Sequence, residues 1–287
     1  MTITELTSPE GTAPAPPSPA ARRNLLRSKR VWRASIGVIV LHVVWELVSR
    51  VGIVDAFLVP PPSTVVQQLF SLAGPDSLPS YALWRHIGWS VGRLMAGVAI
   101  GCLVGIPLGF AMGTNQWIKV TFRPLLTFIL AVPSLALAPI LILFLGLNNM
   151  VAVSVIAIEA TVLMAYNAEL GASSVPRNMK WALSSMGAGR FTIFRRVVLP
   201  ASLPALVTAL KLSVGYGWRA LIAVESIAAT SFGLGYMIFQ AQSYMNTQVI
   251  FAGILSIAVV GYTLERVVFG RLEGRINAWY AINTQKR

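Results

Sequence analysis

The sequence predicts an all-α integral membrane protein, a bundle of six spans. Three observations carry that prediction. The 287 residues are 55% hydrophobic and only 11% charged, with a mean hydropathy of +0.69, too apolar for an ordinary soluble domain. Apolar runs near the length of a bilayer-crossing helix recur along the chain. The basic residues are distributed unevenly between the segments that join those runs.

Residues 1 to about 21 are rich in Pro, Ala, Ser and Thr, a composition expected to stay disordered. Arg22, Arg23, Arg27, Lys29, Arg30 and Arg33 follow, completing a basic tail over residues 1–33. The first span is expected from Ala34 to about Val51. Pro60, Pro61 and Pro62 form a rigid break, and Ser63 can cap a short surface helix to about Leu72. Gly74 to Ser80 reads as a loop.

The second span is expected from about Ile87 to Met112. Glycines at 97, 101, 105, 109 and 113 recur every fourth residue, one ridge without side chains on which another backbone can close in. Thr114 to Arg123 reads as a short loop. The third span, Pro124 to Leu145, contains Pro133 and Pro139, which free backbone carbonyls near mid-membrane. Pro133 and Ser134 therefore line a path or mark a packed kink. The fourth span is expected from Met150 to Leu170. Glu159 lies well inside it, where a carboxylate costs about 2.5–3.5 kcal/mol. It must face a polar cavity, a partner or a hydrogen-bonded packing site.

The fifth span is expected from Ala201 to Val224. Lys211, Gly215, Trp218, Ile222 and Glu225 are spaced to share one face, with Arg219 adjacent. That face should look into the bundle or a pore, so Lys211, Trp218, Arg219 and Glu225 are candidate path residues beside Pro133 and Ser134. Ser226 to Gln248 is a loop whose Ser231-Phe232-Gly233-Leu234-Gly235 turn leads into a short helix. The sixth span runs from Val249 to Val268, and residues 281–287 form a second tail.

Eighteen of the 23 Lys and Arg fall in the N-terminal tail, at 119 and 123, in the loop between spans four and five, and near the C-terminus. All four places share one side of a six-span topology with both termini in the cytoplasm. Position, not nucleic acid, explains the net charge of +13. Cys102 is the single cysteine and lies in an apolar run, so neither a disulfide framework nor a cysteine metal site is expected. His42 and His86 are far apart, have no ligand-like neighbours and are read as packed or interfacial. No catalytic or metal-binding residue is expected.

The loop over residues 172–199 is not built to be floppy. In its stretch Trp181 to Pro204, apolar Trp181, Ala182, Met186, Phe191, Ile193 and Phe194 alternate with Arg190, Arg195 and Arg196. Gly187 and Gly189 permit a sharp bend between two short helices, and Pro200 suits a helix start. Such an elbow, with apolar knobs pointing off the membrane, needs a soluble partner to receive them.

This stretch resembles the Glu-Ala-Ala loop of permease subunits in bacterial ATP-binding-cassette importers. Ala182 and Gly187 match that pattern, nine residues follow, and Leu199-Pro200 closes it. Trp181 stands for the glutamate, Leu183 for the second alanine and Val197 for the isoleucine. Pro60-Pro61-Pro62-Ser63, the glycine ridge, Ile129 to Pro139, Trp218, Glu225 and Gly233-Leu234-Gly235 extend the likeness, over residues 34–280, to the nitrate, sulfonate and taurine subfamily.

The resemblance implies a type I importer permease bundle in the bacterial inner membrane, with cytoplasmic coupling helices. It implies a second permease copy or paralogue, two cytoplasmic ATPases and an external solute-binding protein as partners. The ATPase-docking residues would be Trp181, Ala182, Leu183, Met186, Gly187 and Phe191. The chain has no phosphate loop of its own, so no cofactor is expected on it and ATP would sit on the partner. Lys211 and Arg219 invite an anion such as nitrate, a sulfonate or taurine. Two competing readings, a membrane-embedded enzyme using Glu159 or Glu225 and a stand-alone secondary transporter, lack respectively a clustered acid–base site and an inverted repeat.

Overall fold

The computed structural model describes residues 19–75, 82–228 and 231–271. Positions 1–18 and 272–287, which include the expected 281–287 tail, lie outside them, as do positions 76–80 of the expected 74–80 loop. The chain divides into two compact units, residues 1–62 and 63–287.

In the first unit, α1 runs from Pro19 to Arg50, so the expected tail 1–33 is helical from Pro19 onward. From Ile36 to Leu47 it exposes Val38, Ile39, Val40, Leu41, Val43 and Val44, apolar groups on several sides of one helix. That is the dress of a lipid-facing helix rather than of a surface helix in water. The second unit takes up α2 (Pro62–Ala73), the short helix expected after the proline run. Trp84 of α3 donates its indole N–H to the Ala73 carbonyl at its end, 3.1 Å away.

The bundle is organised by α3 (Leu83–Thr114) and α6 (Asn149–Ser173). The glycine ridge of α3 lies against α6 in constant register. A β-carbon added at Gly97 would lie 2.6 Å from Cβ of Ile156, at Gly105 2.7 Å from that of Met164, at Gly109 2.6 Å from that of Ala168, and at Gly113 2.6 Å from that of Ala172. Gly101 faces Ala160 in the same way. Each step of four on one helix matches a step of four, in the same direction, on the other. The helices are therefore parallel, with backbones close enough that no side chain fits on the ridge.

Parallel packing constrains the chain between them. Two helices that cross a membrane in the same direction must be joined by one further crossing. That crossing is α4 (Gln116–Ala131) and α5 (Ala138–Leu145), joined by a 3-10 turn over Ser134–Leu137. The third span, expected as one proline-marked helix from Pro124 to Leu145, is corrected to two helices meeting at 99°. Pro133 supplies the break, since it lacks an N–H and holds Val132 extended at φ −83°, ψ 123°. The expected loop Thr114–Arg123 is also corrected, because α4 begins at Gln116. Asn115 caps it, its side chain accepting from the Trp117 N–H at 2.9 Å.

α9 (Leu199–Ala228) runs antiparallel to α6: Gly171 meets Ser202, and Gly217 meets Ile156. α10 (Leu234–Ser243) folds back on α9, and α11 (Thr247–Tyr262) returns beside α10 and touches α9 at Trp218. Among the described residues, four helices are long and apolar enough to cross a membrane, and the bent pair adds a fifth. α1, which holds most of the first predicted span, is not among them.

Candidate functional site

The elbow between α6 and α9 is built from local rules. Pro176 precedes α7 (Arg177–Ser185). The helix is stopped by a Schellman motif: the Gly187 N–H donates to the Ser184 carbonyl and the Ala188 N–H to that of Leu183, both at 3.0 Å. Gly187 holds φ +83°, the left-handed conformation this motif requires. Gly189 is extended at φ −67°, ψ 159°, so the bend rests on one glycine, not on the two expected. α8 (Arg190–Ile193) then runs through a π segment (Phe194–Val198) into α9 without a break. The second short helix is thus the leading end of a 39-residue helix, Arg190–Ala228.

The elbow is tied to the spans behind it. Phe194 packs edge-on against Phe110 of α3, with centroids 5.0 Å apart. The Lys180 ammonium donates to the Ala172 carbonyl at the end of α6, 3.2 Å away, where a cation also meets the negative end of the helix dipole. Buried Glu169 of α6 holds Lys119 at 2.9 Å and Arg123 at 3.3 Å, which pins the start of α4 to the same level. In front, the knobs are bare. Met186 is 82% exposed, Phe191 74% and Trp181 68%; Ala182 is exposed and Leu183 half-buried. Burying such side chains is worth about 1.5–3 kcal/mol each.

The predicted path residues do not form one site. Pro133 and Ser134 lie at the bend between α4 and α5, with Ser134 beside Glu159 of α6, whose Oε2 is buried without a hydrogen-bond partner. Lys211 is half-buried on α9. Trp218 is buried, donating from Nε1 to the Ile257 carbonyl of α11 at 3.3 Å while Gly261 leaves room for its ring. Arg219 is exposed, its guanidinium 5.6 Å from the Tyr216 ring centroid. Glu225 is fully buried near the other end of α9.

Glu225 belongs to a cluster the sequence reading missed. Arg93 of α3 donates to its Oε1 at 2.6 Å, the Ser90 hydroxyl reaches both carboxylate oxygens at 2.9 Å, and the Gly235 N–H donates to Oε2 at 3.1 Å. Ser90 Oγ also accepts from the Leu234 N–H at 2.9 Å, and His86 Nδ1 lies 3.1 Å from the Gly233 nitrogen. Gly233, at φ +150°, passes so close that a β-carbon would lie 2.6 Å from Glu225 Cδ and 2.7 Å from Arg93 Nη1. The cluster clamps α3, α9 and the turn before α10 together. The signal for it was Arg93, a cation within an apolar span that needs a buried counter-charge.

Residues 101–277 match the family model described as binding-protein-dependent transport system inner membrane component. The chain is 33% identical to the taurine transport system permease protein of Escherichia coli K12, over 86% of this chain and 89% of that protein. It is 27% identical to a putative aliphatic sulfonates transport permease protein of Bacillus subtilis, over 94% and 95%. It is 26% identical to the bicarbonate transport system permease protein of Synechococcus elongatus, over 81% and 84%. Among solved structures, the MetNI methionine ABC transporter in an inward-facing conformation shares the fold, with a TM-score of 0.61 and 20% identity over 68% of this chain and 95% of that one. The stiff elbow, the parallel α3–α6 pair and these likenesses agree: the chain belongs to the family of binding-protein-dependent transport system inner membrane components, as a multi-pass permease subunit of an ABC importer.

Proposed function

We propose that this permease conducts a small solute bearing an oxyanion group such as a sulfonate, as its taurine and sulfonate relatives suggest. It works as one of two permeases, a second copy or a paralogue, in a bacterial inner membrane with both termini in the cytoplasm. A solute-binding protein delivers the anion from outside. ATP is bound and hydrolysed by two cytoplasmic partner subunits, and this chain carries no cofactor.

The elbow is the single observation that carries the mechanism. The ATPase receives Trp181, Met186 and Phe191, with Ala182, Leu183 and Gly187 shaping the surface between them. When the ATPases close, force enters at Arg190 and passes along one uninterrupted helix to Ala228. At ~1.5 Å per residue that rod is about 58 Å long, so a small tilt at one end becomes a displacement at the other. The anion passes the bend at Pro133 and Ser134, where the broken helix leaves polar backbone within the membrane, and Lys211 and Arg219 favour its charge. Trp218 and Glu225 hold the rod against its neighbours.

The test is uptake into proteoliposomes holding the permease with its ATPase and loaded binding protein. ATP-dependent accumulation of a sulfonate, lost in Met186→Asp with the protein still folded, is the expected result. Accumulation without nucleotide would refute the importer mechanism, and accumulation only of solutes with no sulfonate or other oxyanion group would refute the oxyanion reading.

A further inference from the structure

A second site lies on the opposite side of the α3–α6 pair's outer half, away from the elbow. A groove of about 530 Å³ runs between the first turns of α6 and the α3 face bearing Arg85, Gly88, Gly92 and Ala96. Gly88 and Gly92 are open to it: a β-carbon at either would meet nothing within 4 Å. They differ in this from the ridge glycines, which touch α6.

Every charged or amide group lining the groove has a proton to donate. Arg85 is exposed, its guanidinium steadied 4.0 Å above the Phe232 ring. Arg93 is only 4% exposed, with both Nη atoms engaged by Glu225 and Asn149 and its Nε buried, so it backs the groove and orients Asn149. Asn149 spends its Oδ1 on Arg93 Nη2 at 2.7 Å, which leaves its amide N–H groups to donate. Glu225 already neutralises Arg93, so Arg85 supplies the net positive charge. The rest of the lining is apolar, with Trp89, Met150 and Val153 as walls.

The groove therefore asks for a ligand with an acceptor-only anionic head and a long apolar body. Its length supports the same reading. From Arg85 to Ala96 is eleven residues of helix, about 16 Å, close to half the ~30 Å hydrocarbon core. The cation stands at the end of α3 where the span begins, the level of a headgroup. We propose that this groove binds one anionic phospholipid, its phosphodiester on Arg85 and the Asn149 amide, and one acyl chain along Gly88, Gly92 and Ala96. A zwitterionic phospholipid would bring an ammonium towards Arg85 and bind less well.

Native mass spectrometry of the complete transporter, titrated with phosphatidylglycerol or phosphatidylcholine, tests this. One tightly held phosphatidylglycerol per permease is expected, preferred over phosphatidylcholine. Arg85→Gln should weaken it roughly tenfold, the cost of one charge-assisted hydrogen bond. Arg85→Lys should retain most of the charge preference, and Gly92→Leu should expel the acyl chain and abolish retention. Because the space at Gly92 is open, that variant is expected to fold, and its thermal melt checks this. Equal retention in wild type and Gly92→Leu would overturn the proposal. So would displacement of the anion by millimolar sulfate with no change on lipid addition, which would mark a free-anion site. Disulfide cross-linking of Gly92→Cys between two permease copies would also overturn it, by showing that a subunit covers the groove.

Discussion

Replacing Gly187 tests the elbow at its one conformational hinge. The residue holds φ +83°, and nothing lies within 4 Å of where a β-carbon would stand. The cost of Gly187→Ala is therefore conformational alone, about 1–2 kcal/mol for an L-residue in the left-handed region. That shifts the population of the formed bend by roughly 5- to 30-fold. Asn enters this region more readily and should cost less. Proline fixes φ near −65° and removes the N–H that bonds to Ser184, so Gly187→Pro should cost about 3 kcal/mol or more and dissolve the motif. Gly189→Ala is the control, because Gly189 is already extended and has open space around it. The assay compares ATP hydrolysis stimulated by loaded binding protein with solute uptake, in the same proteoliposomes. Coupling should rank wild type and Gly189→Ala together, then Asn, then Ala, with Pro uncoupled. Uptake at the wild-type rate in Gly187→Pro, or equal damage from Gly189→Ala, would refute the rigid elbow.

Three further predictions follow from the same geometry. Met186→Asp removes an 82% exposed apolar knob; it should weaken ATPase binding at least tenfold by pull-down, given about 1.5–3 kcal/mol for such a side chain, with an unchanged melting temperature. Glu225→Gln or Arg93→Met breaks a buried pair and should destabilise the bundle by about 3–5 kcal/mol, read as a lowered melting temperature in detergent. The double variant Arg93→Met/Glu225→Leu should recover part of that loss, and a double variant no better than the singles would show the pair is not coupled. Gly105→Val places branched carbons where a single Cβ already comes within 2.7 Å of Met164; it should prevent stable assembly, while Gly88→Val, on the open side of α3, should leave the melting temperature unchanged.

The sequence alone determined what depends on neighbours along the chain. The apolar runs, the basic asymmetry and the proline–serine start of α2 each follow from residues a few positions apart. So does the elbow's stop at Gly187, because a Schellman motif is closed by six consecutive residues. The glycine ridge announced a close helix contact for the same reason, a four-residue repeat on one helix. Asn115 is as legible a cap as Ser63, but Pro124 also suits a helix start, and the span expected from there misplaces the beginning of α4.

The tertiary structure decided what depends on pairing between distant residues. It showed that the ridge meets α6 in parallel register, and that parallel packing forces the bent α4–α5 pair to be a crossing. It joined Arg93 to Glu225 across 132 positions, and turned the face carrying Lys211, Trp218 and Glu225 into three separate environments. A helical repeat says which side chains share a face; which neighbour that face meets is settled only when the helices pack, because burial and charge pairing are properties of the assembled bundle.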